Sequence, residues 1–339
     1  MMTEGSLFRE FAVVLPEQKL RTCVHCGMCL PQCPTYRALG VETDSPRGRL
    51  YLMKALADAE LKLTEGFVEH MEKCLNCRNC EAVCPSGVRF GELMELTRGI
   101  IHEQHPRSVT EKLLRNLLLE QVLPHPRRLD LAMLGAKLYQ QSLQNVFHRF
   151  NAARRLPGLI QAADAMLPQM PPRFFKPPQS GIVKAVGKPK LRVGFFSGCI
   201  MRSMFADVNN AAVRVLAVNH CDVVIPGTQT CCGAVHMHNG VRRTAAALAR
   251  RNIDAFKEAD VDYIVVNSAG CGATLKEYTE LLHGDHAYAQ ATQAFSNKVK
   301  DFNEFLAAID LETRFNRMNL RVTYHDPCHL VHVQKVRAQ

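Results

Sequence analysis

The chain has 339 residues, 47% of them hydrophobic and 22% charged. That length exceeds one ordinary domain and that balance is normal for globular proteins, which excludes a disordered chain, a collagenous repeat and a small disulfide scaffold. The formal charge is +10, yet Trp is absent, aromatics are 7% and no Lys/Arg-rich run occurs, so the expected partner is an acidic protein surface or anionic lipid headgroups and no nucleic acid.

At the N-terminus, Met1 to Leu20 carries Glu4, Arg9, Glu10 and Pro16 and lacks the apolar stretch of a signal peptide. No run approaches the ~18 apolar residues of a spanning helix. The expectation is a cytoplasmic protein, at most peripheral on the cytoplasmic face of the inner membrane. In that compartment 14 cysteines read as metal ligands, because the cytosol keeps thiols reduced.

Eight of those cysteines form two matching runs, Cys23-x-x-Cys26-x-x-Cys29-x-x-x-Cys33-Pro34 and Cys74-x-x-Cys77-x-x-Cys80-x-x-x-Cys84-Pro85. This is the spacing of bacterial two-cluster ferredoxins, in which the fourth cysteine of each run ligates the other cluster. The rule assigns Cys23, Cys26, Cys29 and Cys84 to one [4Fe-4S] site, and Cys74, Cys77, Cys80 and Cys33 to the other. Structural zinc is the competing reading, but zinc sites use separated pairs of ligands rather than triple-Cys runs. About forty residues, rich in helix formers from Arg47 to Leu63, separate the runs, which predicts a helical ferredoxin module over residues 1–105.

Residues 106–188 read as a helical segment followed by a linker. Ser108 and Glu111 form an S-x-x-E capping signal ahead of Leu113, Leu114, Leu117 and Leu118. Pro124 and Pro126 interrupt the pattern, which resumes through Leu129, Met133, Leu134 and Leu138. From Pro157 to Pro189 the composition turns to proline and glycine.

Residues 189–319 alternate strand-like runs with helical patterns, the signature of a parallel α/β sheet. Strands are expected at Leu191-Phe196, Asp222-Ile225 and Tyr263-Asn267, and helices at Phe205-Val218, Val241-Glu258, Ala273-Leu282 and Lys298-Ile309. Cys199, the adjacent pair Cys231-Cys232 and Cys271 each follow a predicted strand, so all should converge at the carboxyl edge of the sheet, where ligands bind in open α/β folds. An additional iron-sulfur cluster held by Cys199, Cys231, Cys232 and Cys271, or none, is left open. Cys221, ahead of a strand, reads as a buried packing thiol.

The segment Leu320-Arg-Val-Thr-Tyr-His-Asp-Pro-Cys328 repeats the pattern of Leu191-Arg-Val-Gly-Phe-Phe-Ser-Gly-Cys199. It predicts a fourth strand at Arg321-Tyr324, the start of a second, incomplete repeat over residues 320–339, and Cys328 at the same sheet edge without partners for a full cluster. The second half thus reads as C-terminally truncated.

The order of a two-cluster ferredoxin module and a C…CCG…C domain resembles the iron-sulfur subunits of glycolate oxidase (glycolate dehydrogenase) and their relatives. The segments Thr22-Cys-Val-His-Cys-Gly-Met-Cys29, Pro46-Arg-Gly-Arg49, Cys231-Cys-Gly-Ala-Val-His236 and His325-Asp-Pro-Cys-His329 carry the likeness. The resemblance implies an α plus α/β architecture with a CCG domain. It also implies two [4Fe-4S] clusters and an electron-transfer role in an oxidoreductase complex. FAD-containing partner subunits would oxidise glycolate to glyoxylate, with a quinone or another membrane species as electron acceptor. The chain itself offers no G-x-G-x-x-G dinucleotide signature after a predicted strand and no catalytic residue of its own. Related lactate and anaerobic glycerol-3-phosphate dehydrogenase subunits, and heterodisulfide reductases, are the alternatives. In the last of these the final motif is C-x-x-C, whereas Cys271 is followed by Gly272, Ala273 and Thr274.

Overall fold

The computed structural model describes residues 15–144, 149, 158–311 and 318–337. Most of the N-terminal stretch and Pro157, where the linker was expected to begin, lie outside the described residues. The chain forms two compact units. The first comprises Met1–Lys112, Ala234–Ala245 and Thr323–Ala338; the second comprises Leu113–Gly233 and Ala246–Val322.

The first unit is helical. Its main helices are α1 (Pro46–Ala57), α2 (Glu65–Glu72) and α3 (Phe90–Gln104). Helix α1 starts where the sequence dictates: Ser45 caps it by accepting from the Gly48 amide at 3.0 Å, and Pro46 occupies the first turn, where its missing N–H costs nothing. Gly48 is required there, since a Cβ would stand 2.0 Å from the Glu42 carbonyl oxygen. Thr64 caps α2 in the same way. The inward faces bury Leu50, Met53, Phe67, Met71, Phe90, Leu93 and Met94, and Cys23, Cys74, Cys80 and Cys84 pack against this core. These four cysteines are thereby anchored to the buried core of the module.

At the end of the first unit's opening segment, Ser108 does accept from the Glu111 amide at 3.2 Å ahead of the helix Val109–Arg115, but Glu111 turns its carboxylate to Arg107 instead of closing a capping box. After the break at Pro124, helix α4 (Pro126–Ser142) begins with Pro126 in its first turn. Of the apolar positions expected on it, Leu129 is buried while Leu134 and Leu138 stay exposed.

The sheet has five strands: β1 (Ile182–Val183), β2 (Leu191–Phe196), β3 (Cys221–Val224), β4 (Tyr263–Val266) and β5 (Val299–Asp301), in the order β1-β3-β2-β4-β5. Strands β2 to β5 run parallel, with Val193 opposite Val223 on one side and Tyr263 on the other; β1 adds an antiparallel edge. Helices α5 (Ala206–Val218), α6 (Ala234–His238), α7 (Arg242–Ala259) and α8 (Ala269–Lys276) follow the strand ends in turn. Val193, Phe195, Val223, Val265, Val213 and Leu216 form the buried core. Gly194 lets β2 approach α7, since a Cβ there would meet the Phe256 ring at 2.8 Å.

Three expectations need correction. The segment expected as helix from Lys298 opens instead as β5, and its helix, Phe302–Ala307, is started by a capping box between Asp301 and Glu304. The helix after β4 begins at Ala269, four residues earlier than expected, which places Cys271 in its first turn. The fourth strand does not exist: residues 318–327 carry no regular structure and Cys328 precedes a short helix, His329–Val333. Cys328 belongs to the first unit, not to the sheet edge. Among the described residues no helix is long and apolar enough to cross a membrane.

Candidate metal centres

The two cysteine runs adopt the same local backbone. In each, the residue before the second cysteine (His25, φ 55°; Asn76, φ 49°) and the residue after it (Gly27, φ 82°; Arg78, φ 60°) are left-handed. Three of these are not glycine, and a left-handed L-residue costs about 1–2 kcal/mol. Such turns persist only where the surrounding structure over-determines them. They set the thiols of each run along the wall of a cavity and turn backbone amides toward sulfur, as in the Asn76 amide to Cys74 Sγ at 3.4 Å.

Cys23, Cys26, Cys29 and Cys84 line one cavity of ≈ 430 Å³. Cys33, Cys74, Cys77 and Cys80 line a second of ≈ 320 Å³. Each cavity thus meets three thiols of one run and the last thiol of the other, and the first cavity also meets Cys80. Cys80, Pro46 and Phe90 border both. Neither cavity wall contains a carboxylate, and the donors are soft sulfur, which suits iron-sulfur clusters rather than hard cations. Burial raises the Cys29, Cys77 and Cys80 thiols above their ordinary range, so metal binding there must displace protons.

Arginines from one turn of α1 serve the two cavities separately. Arg47 borders the first, where it pairs with Glu42 at 2.6 Å and reaches the His25 carbonyl. Arg49 borders the second and is fully buried. It donates to the His70 carbonyl at 2.7 Å, to Thr35 Oγ1 at 3.0 Å and to Asp44 at 3.1 Å. The Asp44 carbonyl in turn accepts from Thr35 and from Cys33 Sγ. Asp44 and Thr35, which fix the thiol contributed by the first run to the second cavity, carried no motif signal in the sequence.

In the second unit, the order in which strands are added switches sides at β2: β3 lies on one side, β4 on the other. Ligand sites of open α/β sheets form at such switch points. Cys199 follows β2 and Cys271 follows β4. Gly198, with φ 67°, sits so close that a Cβ would touch Cys271 Sγ at 4.0 Å. Cys199 and Cys231 are 3.4 Å apart at sulfur, and Cys232 hydrogen-bonds with both Cys231 and Cys271. The four strand-end thiols therefore converge. Hydrogen bonding to Cys231, with burial, drives the Cys199 thiol well up, while the hydrogen bond from Cys232 lowers Cys271. Cys221 lies elsewhere, fully buried in the core, and burial alone pushes it to about 11.

A polar frame holds this constellation. Gln229 accepts from the Ser197 amide at 2.8 Å and donates to the Phe195 and Pro226 carbonyls. Asn252 donates to the Cys231 carbonyl at 3.0 Å and accepts from the Thr230 amide at 2.8 Å; Tyr278 donates to the Cys232 carbonyl at 2.8 Å. A lone Asn, Gln or Tyr in a helix or loop has no sequence signature, so none of the three was foreseen. A cleft of ≈ 430 Å³ opens beside Cys199 and Cys231.

Comparison with known proteins matches three families in chain order. Residues 19–88 match the 4Fe-4S dicluster domain, residues 110–167 the linker region of the glycolate oxidase iron-sulfur subunit, and residues 193–276 the cysteine-rich CCG domain. The chain is 41% identical to a probable glycolate oxidase iron-sulfur subunit of Bacillus subtilis, covering 96% of this chain and 74% of the relative. It is 35% identical to the glycolate oxidase iron-sulfur subunit of Escherichia coli, covering 94% and 73%. Lactate utilization protein A of Oceanobacillus iheyensis is 33% identical over 43% of this chain. No solved structure gives a significant match. Thiol-lined cavities, a matching linker and a convergent CCG site, in that order along one chain, place it in a single family: the chain belongs to the glycolate oxidase iron-sulfur subunits.

Proposed function

We propose that this chain is the electron-transferring iron-sulfur subunit of a glycolate-oxidising complex. In this reading Cys23, Cys26, Cys29 and Cys84 hold one [4Fe-4S] cluster, and Cys74, Cys77, Cys80 and Cys33 hold another. Cys199, Cys231, Cys232 and Cys271 hold an additional metal-sulfur group. Bound there, such clusters supply one-electron acceptance and release, the chemistry needed between FAD-containing subunits that oxidise glycolate to glyoxylate and a quinone or other membrane acceptor. The observation that carries the reading is the pair of neighbouring cavities that share Cys80 and Phe90, the first lined by five thiols and the second by four. The chain's own residues fix thiol geometry through α1 and the left-handed turns, and Leu50, Val88 and Phe90 present apolar surface at the first cavity. Glycolate is favoured over lactate because the glycolate oxidase subunits align along almost the whole chain and the lactate utilization protein along less than half.

The test is an activity assay with and without partners. The isolated, flavin-free chain is expected to produce no glyoxylate from glycolate, and co-expression with the flavoprotein subunits should restore glycolate-dependent dye reduction. Glyoxylate formation by the chain alone would overturn the relay role.

A further inference from the structure

Four arginines in the first unit lie at or next to the two thiol cavities, and three of them are neutralised on the spot. Arg47 pairs with Glu42, Arg49 with Asp44 at 3.1 Å and Arg78 with Glu81 at 2.8 Å. Arg98, on α3, is different. Its Nη2 donates to the carbonyls of Cys74 at 2.6 Å, Met71 at 3.0 Å and Glu72 at 3.4 Å, and its Nη1 donates to the His238 carbonyl at 3.0 Å. All four acceptors are neutral, and among the described residues no carboxylate forms an ion pair with it.

The acid that should serve it is engaged elsewhere. Glu95 stands one turn before Arg98 on the same helix, where an i,i+3 pair would normally form. Instead Glu95 faces His238 Nδ1 at 3.1 Å, and His238 also meets Asn76 Nδ2 at 3.0 Å. His238 is held in place because Gly240, at φ 77°, brings its segment against α3 so tightly that a Cβ would stand 2.0 Å from the Arg98 carbonyl oxygen. His329 completes the arrangement with Nε2 at 3.0 Å from the Asn76 carbonyl. Two segments distant in sequence thus clamp the loop between Cys74 and Cys77 and leave a partly buried guanidinium without a counter-ion.

A partly buried charge is retained where something compensates it. Arg98 grips the backbone of Cys74 itself, and Cys74 lines the second cavity, so the group that can compensate this charge is the one its ligand thiols would hold. We propose that Arg98 is a positioning residue that sets the reduction potential of the site formed by Cys33, Cys74, Cys77 and Cys80, an inference that rests on the electron-transfer reading above. A four-thiolate cluster gains negative charge on reduction, and a nearby fixed cation favours that state. Arg98 therefore holds this site at a higher potential than it would otherwise have, and the hydrogen bonds to the carbonyls of residues 71, 72 and 74 keep the ligand loop in register.

The test uses the full chain, loaded anaerobically, with iron content and an EPR-monitored redox titration as readouts. The signal lost in Cys33→Ser identifies the site. Arg98→Gln should lower the midpoint potential of that signal and leave the other unchanged, while Arg98→Lys, which keeps the charge, should stay near wild type. Glu95→Gln, which removes a neighbouring negative charge, should shift the same signal upward, and it decides the matter if Arg98→Gln fails to take up iron. An unshifted Arg98→Gln signal, equal shifts in Arg98→Gln and Arg98→Lys, a shift confined to the other site, or no rise in Glu95→Gln would overturn the assignment. A wild-type chain that binds no iron and sulfide would instead refute the underlying electron-transfer reading.

Discussion

Replacing Cys33 by Ser is expected to remove the cluster of the second cysteine run while sparing that of the first, although Cys33 belongs to the first run in sequence. Cys33 lines the same cavity as Cys74, Cys77 and Cys80 and is absent from the wall of the other. Its position is fixed by the start of the helix Pro34–Leu39 and by the Asp44 carbonyl, which Arg49 holds through Asp44 and Thr35. A serine oxygen there is shorter and harder than sulfur, and iron-sulfur clusters favour thiolate. About four of eight irons should be lost, because each cubane holds four. The EPR signal that disappears should be the one abolished by Cys77→Ser. Disappearance of the signal abolished by Cys26→Ser would show that the crossed assignment is wrong.

The second large effect is expected at the strand-end thiols. Cys231→Ser or Cys232→Ser should lower iron content below wild type and destabilise the second unit, because metal binding at such a site is part of folding free energy. Both positions are buried, and both carbonyls are fixed by Asn252 and Tyr278. A substitution there cannot be absorbed by loop movement. Cys221→Ser is the control. Its thiol touches only the core and the Asn219 carbonyl at 3.5 Å, so the exchange should cost about 1 kcal/mol and leave iron content unchanged. Equal loss of iron in Cys221→Ser and Cys232→Ser would remove the case for a metal at the sheet edge.

Much of this architecture was legible because the signals are local or periodic. The strands Leu191–Phe196 and Tyr263–Val266 are short apolar runs bounded by turns, and the convergence of Cys199, Cys231, Cys232 and Cys271 follows from parallel topology alone. The strand β5 was not legible: Val299, Lys300 and Asp301 are too few and too polar to show a period, and the strand exists because Val299 pairs beside Ile264. The strand expected at Arg321–Tyr324 fails to form for the opposite reason. Its apolar spacing copies β2, but Leu320, Val322 and Tyr324 are exposed and lack a neighbouring strand that would bury them. Long-range polar contacts were invisible altogether. Nothing in the sequence links Asn76 to His238 or His329, since hydrogen bonds across 162 and 253 positions have no local pattern. The frame around both kinds of site is built from such contacts.

The measurement that bears most directly on the account is the iron, sulfide and zinc content of the anaerobically purified chain. The two cavities alone predict at least about eight irons and eight acid-labile sulfides per chain, with a further increment if the CCG thiols are loaded. Zinc in place of iron, with no acid-labile sulfide, would contradict the electron-transfer role at its foundation.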